Sequence, residues 1–501
     1  MVKPRSRPGS GGTRHAYEVI VIGGQLGGAL AAALLAKRGY RVLLVEHDGV
    51  GPGYEHHGYL LPFAPFVTPQ MRAMPAMEQG LSELGLNTVV QRALKPHDPE
   101  LQLVLPDHRA DLSQNPEKRA SELKREFGDE GAQLGVELGA LEQEYEQSHA
   151  FFRSLPDLPP DGMMEEWNLK KQLKKFSGLQ EGSPFQGSGP AAELMRAFLP
   201  FLTYLASPEG PLATRRLLSQ VVHSPGHFPG GREGLRQVIC KKLIDLGGDI
   251  LDADGDESSV AEAFVFDGSK LAGISVLNAE AVYRAQCVVG ATDSQAMRRL
   301  IPDKKAQKKL ADTLDVSTTK RFMFTVNWVI SADALPCGMG ELVLMDTQDP
   351  ALGPMLIQVH SARKADGKED PALRVVCAGA FVPSGTRDLG EAHLKSLAAS
   401  ISKHLGALMP FADRNRELVS APYLDAGGVR GSRLMPHPLY EIALPALLGV
   451  TGLSQRTPLK NFFLANREVL PGLGLEGEFM AGLRAVKLVH ETLKKRDMLK
   501  V

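Results

Sequence analysis

The segment from Tyr17 to Glu46 constrains the fold of this chain more than any other. Val19, Ile20, Val21 and Ile22 form a short β-branched run bounded by glycine, the pattern of a buried parallel strand. Gly23 to Gly28 then turns the chain into an Ala/Leu-rich helix, expected over Ala29 to Arg38 and stopped by Gly39. Arg41 to Val45 reads as a second strand, with Glu46 at its tip. Strand, helix and strand within about thirty residues make a βαβ unit, which commits this region to an α/β sheet.

The rest of the chain is long enough, at 501 residues, for about two to three domains. From Pro69 to about Pro190, dense mixed charge over Lys118 to Phe152 predicts a helical insertion exposed to solvent, interrupted by the Pro-rich Leu155 to Pro160. Ala191 to Ala206 is apolar on most faces and broken by Pro200, which fits a core helix or the wall of an apolar pocket. A glycine turn leads into an amphipathic helix, Glu233 to Leu246. Strands are expected over Val260 to Phe266, Leu271 to Leu277 and Cys287 to Gly290. Arg321 to Ile330, Glu341 to Met345, Met355 to His360 and Leu373 to Phe381 predict a second, largely antiparallel sheet. Leu389 to Leu408 reads as one long helix, and Phe462 to Ala465, a glycine-rich turn and the helix Phe479 to Lys494 close the chain.

Composition narrows the function classes. Lys plus Arg is 57 against 58 for Asp plus Glu, so no global field recruits nucleic acid or anionic lipid. Cys240, Cys287, Cys337 and Cys377 make no CxxC pair, which predicts buried reduced thiols rather than a zinc site or a disulfide framework. The basic, Gly/Pro/Ser-rich residues 1–16 read as a disordered leader without the apolar stretch of a secretory signal, so the expected location is cytoplasmic. No Gly-x-Ser-x-Gly elbow and no P-loop lysine motif appears. His56 and His57 are candidate phosphate donors or plain loop histidines, and His223 and His227 flank a Pro-Gly turn without metal-ligand company.

A strand, a glycine turn and a helix suit a dinucleotide for physical reasons. The helix begins with unpaired N–H groups and the positive end of its dipole, which favour a pyrophosphate. An acid at the tip of the second strand accepts from the adenosine ribose. Here Gly23, Gly24 and Gly28 form the turn and Glu46 is the acid, while Gln25 stands where the second glycine of the motif belongs.

Further segments follow in a telling order. Phe228 to Ile250 (FPGGREGLRQVICKKLIDLGGDI), AQCVVGATD from Ala285, and NFFLANREVLPGLGLEGEFMAG from Asn461 resemble the phytoene desaturases and related flavin amine oxidases, and together with Tyr17 to Glu46 cover about a fifth of the chain. The resemblance implies an α/β fold: an FAD-type Rossmann (GR2-like) nucleotide domain, discontinuous over 17–68, 226–300 and 455–501. An α+β substrate domain would be inserted over 69–225 and 301–454. It implies non-covalent FAD, with Val260 meeting the adenine through its backbone and Gly472, Gly474, Glu476 and Gly477 forming the closing flavin motif. The chain departs from the family at Gln25, at the run Gly51-Pro52-Gly53 without its usual arginine, at Asn466 and Leu473, each in place of a glycine, and at Pro229, one place late.

Two functions are therefore expected. One is an FAD-dependent oxidoreductase acting on an apolar or amine-like small molecule, with a possible peripheral membrane contact and no catalytic acid or base identifiable. The other is a protein that keeps the fold but has lost flavin binding and serves as a binding or scaffolding module.

Overall fold

The computed structural model describes residues 16–46, 53–176, 179, 185–208, 210–223, 225–251, 261–276, 282–426 and 435–494. The expected leader and Val260 lie outside these residues, apart from Ala16, with which the first strand opens. Strand β1 (Ala16–Ile22), helix α1 (Leu26–Lys37) and strand β2 (Val42–Val45) form the predicted βαβ unit, β1 and β2 pairing in parallel. The helix starts three residues earlier than expected, so Gly27 and Gly28 lie in its first turn rather than in the loop. Leu26 to Ala36 is buried on every face, as an Ala/Leu helix without a polar stripe must be.

One sheet collects strands from three separated stretches of sequence. Among the described residues it has seven strands, with β1 and β2 flanked by Asp249–Leu251 on one side and by β3 (Val282–Gly290) on the other. The closing strand β4 (Phe462–Leu464) pairs with β3 in parallel, and the hairpin Ala261–Asp267/Lys270–Val276 adds to β3 antiparallel. Three helices important for the site accompany this layer: α2 (Pro211–Val221), α3 (Gly231–Asp245) and α4 (Gly474–Leu493).

The second sheet has eight strands among the described residues and is antiparallel except for one pair. Its four central strands, Ser317–Ser331, Leu342–Met345, Met355–Arg363 and Glu369–Pro383, are those expected, mostly longer than the apolar runs that signal them. Backbone pairing carries a strand past its apolar segment once a partner is in register.

Two expectations are corrected. The stretch after Pro69 supplies strands Leu101–Val104 and Arg109–Leu112 to the second sheet. The charged stretch is helical over Pro116–Arg153 with a break at Gly128, and it is amphipathic, with one face in solvent and the other buried. Leu134, Leu138 and Leu141 recur at helical spacing and pack into the core beneath that sheet. Cys240, Cys287 and Cys377 are buried, whereas Cys337 is exposed, in the loop before Leu342–Met345. No helix among the described residues is long and apolar enough to cross a membrane.

Helices α1 and α4 cross closely. A Cβ on Gly27 would lie 2.5 Å from Ala465 O and 2.7 Å from Glu478 O, and one on Gly482 would lie 2.5 Å from Gly27 O. Backbone therefore meets backbone, with no room for a side chain. Gly482→Val is expected to lower unfolding free energy by about 3 kcal/mol through overpacking. Gly139→Ala, whose Cβ meets nothing within 4 Å, is expected to raise it by roughly 0.5–1 kcal/mol. Urea titration of both variants measures the contrast.

Candidate functional site: a cavity between the two sheets

A cavity of about 240 Å³ opens where the glycine turn after β1 faces the second sheet. Gly24 and Gln25 line it from the turn, Gly230, Gly231 and Arg232 from the head of α3, and Arg467 from the segment after β4. Pro62 to Phe66 forms an apolar side, and Gln358, His360 and Arg363 face in from the second sheet. Gln358 fastens the apolar side in place, accepting from Phe66 N and donating to Phe66 O, both at 3.1 Å.

At the head of α1, where a pyrophosphate would sit, the protein places a carboxylate of its own. Leu26 N donates to Glu478 Oε2 at 3.2 Å, and Tyr204 Oη donates to Glu478 Oε1 at 2.6 Å. Arg232 from α3 forms an ion pair with Glu478, and Arg467 Nε lies 3.9 Å from it. Burial alone would raise this carboxyl, but Arg232, Arg467 and the hydrogen bonds outweigh it and hold it below the usual carboxylate range. Glu478 is thus a fixed anion at the positive end of a helix, an arrangement worth up to ~2 kcal/mol when partly buried.

Gln25 is equally engaged. It is buried, its Nε2 donates to Asp293 Oδ1 at 2.8 Å, and its Oε1 accepts from Arg467 N at 2.9 Å. Glu46, expected at a ribose, is instead paired with Arg236 of α3. A Cβ on Gly24 would lie 3.0 Å from that guanidinium, so Arg236 fills the space between the turn and the acid.

Tested against a dinucleotide in the usual pose, these residues do not fit. The helix-head amide is already given to an anion, an amide side chain bridges the turn, and the ribose acid has a permanent cationic partner. A pyrophosphate there would meet Glu478 as a like charge.

The remaining expected site residues are placed as follows. Gly23 and Gly28 pack against the residue after β3, Ala291. Gly472, Gly474 and Gly477 each press on a neighbouring backbone carbonyl, those of Gly449, Leu202 and Leu470. Glu476 is fully buried in an ion pair with Arg216 of α2 at 3.0 Å and accepts from Gln220, away from the cavity. Asn466 donates to Thr292 O and Glu468, and does not line the cavity. His56 lies in a short hairpin and His57 in its turn. His227 lines the cavity and stacks on His360, with ring centroids 5.0 Å apart, whereas His223 bonds to Ser219 O. Among the described residues no group of three or more His, Cys, Asp or Glu is arranged to hold a metal.

Arg232, Arg236, Asp293, Arg467 and Glu478 were not singled out by the motifs. The one local signal was a pair of arginines four apart on α3, spaced to share a helix face.

A family model for an NAD(P)-binding Rossmann-like domain matches residues 21–84. No curated protein sequence matches the chain. Among solved structures, an oxidoreductase from Methanosarcina mazei is similar at 16% identity, covering 94% of this chain and 100% of that one, with a TM-score of 0.55. Cyclohexylamine oxidase from Brevibacterium oxydans is similar at 15% identity over 96% and 100%, TM-score 0.56. Putrescine oxidase bound to putrescine is similar at 15% over 96% and 99%, TM-score 0.54. The chain has the two-sheet α/β fold of these proteins, with a nucleotide-type layer discontinuous in sequence.

Glu476→Ala is expected to destabilise the protein by about 3–5 kcal/mol in urea, because Arg216 would be left buried and unpaired. Ligands of the cavity should bind the folded variant unchanged.

Burial pushes His227 down to about 3 and His437 down to about 4, and it lowers His360 as well. In the unfolded chain these imidazoles titrate near 6.5, so below that pH the unfolded state takes up protons that the folded state refuses. Their contribution is complete above about pH 6.5 and is lost as pH falls toward 4. Glu468, raised by burial and Asp293 to about 7, acts in the opposite sense. Tm is expected to drop between pH 7 and 4.5, with a shallower slope in His227→Gln.

Proposed function

We propose that this protein binds a small organic molecule in the cavity between its sheets and holds no FAD at the head of α1. The observation that carries this reading is the Leu26 amide donated to Glu478, which commits the phosphate seat to an internal anion. Gln25, bridging Asp293 and Arg467, and Arg236, paired with Glu46, support it from either side. The protein is on this reading a binding module on an oxidase scaffold. The retained glycines of the closing motif do not oppose it, because chain packing accounts for each of them.

A second reading is an FAD-dependent oxidoreductase of a small apolar or amine-like molecule. It is favoured by the cavity's position against the glycine turn and by a fold shared with cyclohexylamine oxidase and putrescine oxidase. FAD, when bound, would supply the redox chemistry.

An absorbance spectrum after incubation with FAD and desalting separates the two. The expected result is a colourless protein that retains no flavin. Flavin bands that stay with the wild type would overturn the first reading and establish the second. The double variant Gln25→Gly, Glu478→Ala frees the seat and leaves Arg232 without its buried partner. It is expected to be less stable alone and to gain Tm on addition of FAD, whereas wild type shows no shift.

A further inference from the structure

We infer that the ligand of the cavity is an organic monocarboxylate whose head group is clamped by Arg467. This assignment rests on the cavity being a small-molecule site, as proposed above.

The inference starts from how the charges around the cavity are paired. Arg232 is engaged by Glu233 and Glu478, Arg236 by Glu46 and Glu233, and Arg363 by Glu369. Among the acids, Glu341 is bonded to His97, and Asp293 to Gln25 and Tyr440. Lys95, which also lines the cavity, is exposed to solvent, whereas Arg467 is largely withdrawn from it. Its side chain is only 14% exposed, its nearest carboxylate oxygen is 3.9 Å away, and its Nε is buried with no hydrogen-bond acceptor. No hydrogen bond from its guanidinium is formed among the described residues, although an arginine carries five N–H donors.

The guanidinium is nevertheless held in place. Its carbon lies 5.3 Å from the centroid of the Tyr204 ring, and its backbone N–H is fixed to Gln25. A guanidinium held over a ring keeps its N–H groups available to a ligand. A preoriented fork with unmet donors at the wall of a cavity matches a planar acceptor with two oxygens, which is a carboxylate. A cationic amine would face this arginine as a like charge, so the site disfavours the head group that an amine oxidase takes.

The other walls set the rest of the molecule. Pro62, Phe63, Pro65 and Phe66 offer an apolar side, and the stacked pair His227 and His360 is kept neutral by burial at physiological pH. An apolar, preferably flat body therefore belongs with the carboxylate.

The test compares three probes that share one body: 3-phenylpropionate, 3-phenylpropionamide and 3-phenylpropylamine, titrated into the full chain by calorimetry. The carboxylate is expected to bind about tenfold or more tightly than the amide, and the amine most weakly. Arg467→Gln should remove that preference, so that the carboxylate and the amide bind alike. Arg467→Lys, which keeps the charge but not the fork, should retain only part of it. Equal binding of all three probes, or an unchanged preference in Arg467→Gln, overturns the carboxylate assignment and leaves the cavity reading standing. Binding of none of them at millimolar concentration overturns both. If Arg467→Gln does not fold, the comparison of probes on wild type and Arg467→Lys decides alone.

Discussion

Glu478 is a buried anion, and a buried anion has to be compensated from every side. Its partners come from four places in the sequence: the amide of Leu26, the hydroxyl of Tyr204, and the guanidinium groups of Arg232 and Arg467. The carboxylate thus ties the start of α1 to the start of α4, and both to the head of α3. The turn before α1 and the head of α3 line one end of the cavity, and Arg232 and Arg467, which face Glu478, line it too, so this charge holds part of its wall in place. The chain itself supplies an anion at the head of α1, so the glycine turn has an internal partner.

The fold was legible where local pattern and burial coincide. Val19 to Ile22 and Val42 to Val45 are buried on both faces, so their uniform apolar runs announce parallel strands. Leu101–Val104 and Arg109–Leu112 carry little strand signal because each is four residues long and set in charged surroundings; the first pairs with Leu342–Met345 and the second with the first. The site was legible to the same degree. Gly24 and Gln25 belong to a contiguous motif, whereas Glu478 lies 452 residues from the amide it caps and Arg236 lies 190 from Glu46. Pairing over such separations has no periodic signature, and a lone Glu or Arg on an amphipathic helix reads as surface charge.

The closing glycines teach a related lesson about what a glycine reports. Gly472, Gly474 and Gly477 keep the spacing of a flavin motif, and each stands against a backbone carbonyl of the protein itself. A glycine records that something approaches within the reach of a Cβ, and the approaching group may be chain or ligand alike. Spacing alone does not distinguish the two, and in this chain the packing around the start of α4 is enough to require each of the three glycines.

Gln25 completes this logic. In a phosphate turn its side chain is an obstruction, yet in this protein it has one donor on Asp293 and its acceptor on the Arg467 amide. Both partners are half-buried, and a glycine at position 25 would leave them without this bond. Glu478 and Gln25 are therefore one arrangement in two parts: the first supplies the charge a phosphate would bring, the second the hydrogen bonds its oxygens would make. Removing either alone exposes the partners of the removed group without clearing the seat of the other. Both meet Arg467, Glu478 at its guanidinium and Gln25 at its backbone N–H, so changes at positions 25 and 478 are coupled through a residue that lines the cavity.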